Sequence, residues 1–117
     1  MIRYFVSDKE LQRFLLQILN TEGFKELESD LRTSMIAEML TQLENDTDRF
    51  IADHIDMQDA QMLGTLIQRG VSRAEIEAFV SDRILRFHSR LAAMLGGFRD
   101  FYVQESERAG IDIPTLG

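Results

Sequence analysis

Two histidines, His54 and His88, are the side chains of this chain best suited to proton transfer near neutral pH. His88 is followed directly by Ser89, the arrangement from which a hydroxyl nucleophile could be activated. Adjacent residues on a helix point apart, however, so this pair does not form a nucleophile–base couple if the segment is helical. His54 lies in Asp53-His54-Ile55-Asp56, which could offer metal ligands only if a helix ended there. Di-iron bundles use Glu-x-x-His pairs facing the core. The residues three before the histidines are Ile51 and Leu85, so that pattern is missing. There are no cysteines, which excludes thiolate metal sites, disulfides and thiol nucleophiles. Neither Gly-x-Ser-x-Gly nor a phosphate-binding Gly-x-x-x-x-Gly-Lys occurs. These absences lead us to expect no catalytic residue, metal or cofactor, and a non-enzymatic role.

Three further groups of residues could recognise something. Arg83, Arg86 and Arg90 are spaced three and four apart, so they share a face if one helix carries them. They suit an anionic partner, or carboxylates on a neighbouring helix. Ala92, Ala93, Gly96 and Gly97 form two small-residue pairs four apart, which would let another backbone approach closely. Glycine within a helix costs roughly 1 kcal/mol relative to alanine, so two in succession call for a compensating contact. Phe98, Phe101 and Tyr102 follow at once and are good anchors for a core or an interface. Met57 and Met62 fit the helical stripes less well than the other methionines and could form an adaptable surface.

These residues must be carried by helices. Ser7-Asp8-Lys9-Glu10 has the capping-box pattern and opens a first helix through Leu11, Phe14, Leu15 and Ile18, with Gly23 as its left-handed exit. Apolar residues from Phe24 to Ile55 predict a long second helix. Asn45-Asp46-Thr47-Asp48 is its weak point, but the apolar phase survives it, so we expect continuity. A short third helix spans Met57 to Arg69, with Ala60, Leu63, Leu66 and Ile67 inward and Gly70 closing it. Ser72-Arg73-Ala74-Glu75 starts a fourth helix reaching about Val103. Its seam of Val80, Ile84, Phe87, Leu91, Met94, Phe98 and Phe101 repeats every three and four residues. Residues 104–117 then read as a mostly non-helical tail with Ile111, Ile113, Pro114 and Leu116, docked on the body or offered to a partner.

The expected fold is all-α: an elongated antiparallel bundle of about four helices, two long and two short, in one domain over residues 1–103. Two long rods would overhang a compact globule of this length, whose radius of gyration should be about 13 Å. A homodimer could cover the overhang. The chain has 117 residues and a net charge of −7. The first 60 residues hold 13 acidic and 6 basic side chains, and the remainder hold 7 of each. A field of that sign repels nucleic acid and favours basic partners. No apolar run approaches the length of a membrane span, and the first residues lack the apolar core of an export signal, so a cytoplasmic protein is expected.

The leading expectation is therefore an interaction module, such as an adaptor, regulator, assembly subunit or inhibitor. It would bind a protein or itself through the fourth helix. An alternative is an atypical helix-turn-helix DNA-binding regulator, built on the Gly70-Val71-Ser72 turn and the arginines that follow, Arg73, Arg83, Arg86 and Arg90. Glu75 and Glu77 at its base-reading positions, and an isoelectric point near 4.7, oppose it. A small enzyme built around a histidine is the second alternative. No motif in the chain points to a known family.

Overall fold

The computed structural model describes residues 1–21, 24 and 26–116, with side chains described up to Glu105. The expected exit at Gly23 lies outside the described residues. Among the described residues the chain is all-helical. A 3-10 turn at Ile2–Tyr4 precedes α1 (Asp8–Leu19), α2 (Ser29–His54), α3 (Met57–Gln68), α4 (Arg73–Arg83) and α5 (Phe87–Leu116).

Three of these helices start where a short polar side chain satisfies an otherwise free amide. Ser7 accepts from the Glu10 N–H at 3.2 Å, and Ser72 from the Glu75 N–H at 3.2 Å. Asp56 accepts from the Asp59 N–H at 2.7 Å. Gly70 leaves α3 at φ 70, the left-handed conformation a side chain disfavours.

The second helix begins at Ser29, later than the expected Phe24. Phe24 is instead buried, at a turn. Its carbonyl accepts from Arg32 Nη1 at 3.4 Å, while Arg32 Nη2 reaches Asn20 Oδ1 at 3.1 Å. Its apolar side chain fits the stripe, but the backbone is needed to turn the chain back from α1. Continuity through Asn45–Asp48 holds. Two of the polar side chains there bond to the preceding turn of the helix. Fully buried Thr47 donates to the Leu43 carbonyl at 2.7 Å, and Asp46 accepts from Gln42 Nε2 at 2.8 Å.

The expected fourth helix is two helices. α4 stops at Arg83, Ile84 is extended (ψ 110) and Arg86 takes φ 57 before α5 restarts at Phe87. Nothing at this corner is a helix breaker. The reason for the bend is tertiary: Ile84 and Phe87 are both buried, whereas Leu85 between them is exposed. The Phe87 ring lies 4.8 Å from Phe5 at 69° and 6.2 Å from Phe50. The seam residues still face inward as far as Phe98, and only Phe101 leaves the core.

The expected non-helical tail is a second correction. α5 continues to Leu116. Gln104, Glu105, Glu107, Arg108 and Ala109 are favourable or neutral helix formers, and no proline intervenes before Pro114. The side chains of Ile111, Ile113 and Leu116 lie outside the described residues.

The core joins Leu11, Leu15 and Ile18 of α1 to Met39, Leu43 and Ile51 of α2, with Ile76 and Val80 of α4 and Phe87, Leu91 and Phe98 of α5. Of the four residues expected to face inward on α3, only Leu63 is buried. Leu66 and Ile67 are half-buried and Ala60 is exposed. The start of the chain is held on both sides. The Met1 ammonium pairs with Glu44 and, at 3.1 Å, with Asp48 of α2. Arg73 Nε donates to the Tyr4 carbonyl at 3.1 Å. The body measures 55 × 24 × 19 Å with a radius of gyration of 16.9 Å, so it is elongated as expected.

Candidate interaction groove

Phe50 meets Phe87, while residues 97–102 of α5 lie beside residues 42–46 of α2. The two long helices therefore pass each other in opposite directions. Between them, where Phe98 turns into the core, lies a groove of about 410 Å³. One bank is Gln42 and Asp46, and the other is Gly97, Phe98, Phe101 and Tyr102.

Helix phase decides which side chains reach it. Phe98 is buried at its floor, 6.1 Å from Phe14 of α1. Tyr102, one turn on, is half-buried and lies 4.9 Å from Phe98. Phe101 stands on the rim with 56% of its surface exposed, its ring perpendicular (87°) to Tyr102 at 5.3 Å. A Cβ added at Gly96 or Gly97 would meet no neighbouring atom within 4 Å. Among the described residues, the glycines therefore do not serve the close approach of another helix backbone.

The α2 bank of the groove is acidic. Burial raises the Tyr102 hydroxyl pKa above its ordinary 10.0, and the negative charges of Glu38 and Asp46 push it further the same way. Glu38, Gln42 and Asp46 stand one helical turn apart on α2. Sequence reasoning missed all three. Their i, i+4, i+8 spacing was the available signal, but it is equally that of an ordinary solvated face.

The structure brings together four of the expected interaction residues: Gly97, Phe98, Phe101 and Tyr102. Arg90, Ala93, Gly97 and Phe101 continue along one exposed strip of α5. Ala92 is exposed, and Gly96 is half-buried, on the adjoining face. The three arginines do not share a helix face, because the corner at Ile84–Arg86 separates them. Arg83 ends α4, where its Nε bonds Asp59 Oδ1 at 3.1 Å and its guanidinium lies 3.5 Å over the Phe79 ring. Arg86 and Arg90 are exposed. Of the four arginines on the expected DNA-reading face, Arg73 and Arg83 are thus engaged within the chain.

The histidines lie apart from the groove. His54 Nδ1 is 2.7 Å from the Phe50 carbonyl, and His88 Nε2 is 4.0 Å from Glu77. Among the described residues no group of three acidic or histidine side chains could hold a metal ion, and no helix is long and apolar enough to cross a membrane. A smaller trough of about 250 Å³ between α2 and α3 is walled by Ile51, Ala52, Ile55, Leu63 and Gly64. Its one charged side chain, Asp48, pairs with the Met1 ammonium. Met57 and Met62 on α3 are exposed. Comparison of the chain with protein-family models, with curated proteins and with solved structures finds no match.

Proposed function

We propose that the protein is a non-enzymatic interaction module, a cytoplasmic adaptor, regulator or assembly subunit, that takes a protein partner or a second copy of itself into the groove between α2 and α5. The observation that supports this reading most is the unfilled space over Gly97 beside an aromatic side chain that is 56% exposed. A phenylalanine on a rim loses little by being uncovered singly. Here it borders a concave surface that also holds a second aromatic ring, a carboxylate and a bare stretch of helix backbone. That combination is typical of interface centres, where aromatic anchors sit in pockets and a partner excludes water.

Site-directed photo-crosslinking tests the reading. A benzophenone side chain placed at Phe101 or Ala93 should give one discrete adduct in cells that express the protein. The same probe at exposed Ala74 on α4 should not. Light scattering over a concentration series then tells a self-adduct from a different partner. Equal labelling from all three positions, or none from Phe101 and Ala93, would contradict the proposal.

A further inference from the structure

We propose that the groove recognises an arginine presented by a basic helix of a different protein, its guanidinium seated against Phe101 and Tyr102 with Asp46 as counter-ion. The inference rests on the interaction reading above and specifies the chemistry of the partner.

The chain itself contains the completed form of this arrangement. Between α3 and α4, the Arg83 guanidinium lies 3.5 Å over the Phe79 ring while its Nε bonds Asp59 at 3.1 Å. An aromatic face and a carboxylate, with the Phe79 carbonyl accepting from Nη1 at 3.0 Å, together hold one planar cation there. The groove between α2 and α5 has an aromatic wall and a carboxylate too and, among the described residues, no cation between them. Phe101 and Tyr102 form two walls at 87°, and Asp46 stands across from them with Gln42 bonded to its Oδ1. None of the six described residues that line it is basic. Arg49 stands one turn beyond Asp46 on α2, and Arg90 two turns before Gly97 on α5, so these two cations flank the groove, and among the described residues none lines it.

The field agrees with the shape. Glu38 and Asp46 disfavour negative charge at the Tyr102 hydroxyl, and the same potential favours a cation there. Gly97 provides the access: with no side chain, its backbone lets the aliphatic stem of a long residue lie close to α5. Charge also argues against a second copy. The excess of −7 lies in the half of the chain that includes α2, and pairing two such banks would bring like charges together. A basic helix removes that repulsion and adds attraction.

The test is a titration of the full-length, 15N-labelled chain with two synthetic alanine-rich helical peptides. One carries arginine at two positions four apart, and the other carries glutamine there. The arginine peptide should give saturable shifts at the Gly97, Phe101 and Tyr102 amides and the Gln42 side-chain amide. The glutamine peptide should not. Asp46→Asn and Phe101→Ala should each weaken binding about tenfold. Asp53→Asn, which removes an exposed acid outside the groove, should leave affinity unchanged. None of these positions is fully buried, and circular dichroism of each variant verifies the fold. The inference is overturned by equal binding of both peptides, by shifts mapping elsewhere, or by insensitivity to both groove variants. A discrete Phe101 crosslink to another protein, with no arginine-peptide binding, would overturn the inference and leave the interaction reading standing. A dimer dissolved by Phe101→Ala would identify the occupant as a second copy and also overturn it.

Discussion

Replacing Gly96 and Gly97 by alanine should make the protein more stable and its groove less able to bind. Both glycines lie inside α5, and neither has the positive φ that would make a side chain costly. A methyl group at either position meets nothing within 4 Å. The conformational cost of glycine in a helix interior, roughly 0.5–1 kcal/mol relative to alanine, should therefore be recovered in full at each site. The two methyl groups point in directions about 100° apart on the helix, so their effects should add to about 1–2 kcal/mol. For a chain of this length that is a rise in Tm of about 4–8 °C. Thermal and urea unfolding followed by circular dichroism at 222 nm would measure it. A double variant no more stable than the parent would refute the reasoning, because it would mean that the helix is closely approached at these residues. Gly97→Ala should meanwhile weaken arginine-peptide binding severalfold, since its methyl group enters the space above the groove wall. Stability and affinity moving in opposite directions is the signature of glycines that serve a partner rather than the fold.

Other perturbations follow from the caps, the corner and the tyrosine. Ser72→Ala and Asp56→Ala should each cost about 1 kcal/mol by removing the side chain that accepts the Glu75 or Asp59 amide, read as a lower urea midpoint at unchanged slope. Arg86→Gly should raise stability by up to about 1 kcal/mol, because glycine holds φ 57 without steric cost, and Arg86→Val should lower it by a similar amount. Equal effects from the two substitutions would contradict the observed corner. Tyr102 should ionise above pH 10.0 in absorbance at 295 nm, and Glu38→Gln with Asp46→Asn should move it back only part of the way, since burial contributes first. A folded-state value above the unfolded one means that the contribution of Tyr102 is complete below pH 10 and is lost as pH rises through the folded value.

Much of the helical framework was legible because caps and apolar phase act locally. Ser7 and Ser72 announce their helices, and the stripe through Met39, Leu43 and Ile51 carries α2 across its polar stretch. The corner between α4 and α5 was not legible. Ser81 through Arg86 contains no glycine or proline, and the three-four spacing of Val80, Ile84 and Phe87 serves a straight helix and a bent one equally well. What decides between them is the position of Phe5 and Phe50 around Phe87, which are 82 and 37 residues away in the chain. The groove was half legible for the same reason. The aromatic and glycine residues of α5 draw attention by type. Gln42 and Asp46 look like any solvated pair until α5 is laid beside them.

The corner also explains why there is a groove at all. A straight helix from Arg73 to Val103 would place one continuous seam against α2. By turning at Ile84–Arg86, the chain sends α4 back toward the first residues, where Arg73 bonds the Tyr4 carbonyl, and lets α5 restart against Phe5 and Phe50. From Phe87 onward the helix phase is set. Leu91 and Phe98 turn inward, and at about 100° per residue Gly97 and Phe101 fall to the side of that line, at the rim. Packing requires only that the residues at the rim tolerate water. A glycine that destabilises the helix and a large exposed phenylalanine are poor answers to that requirement alone, and alanine with a charged residue would meet it better. Their presence opposite Asp46, in a groove whose described lining has the aromatic and acidic partners of an arginine but no arginine, is what the proposed basic helix would account for.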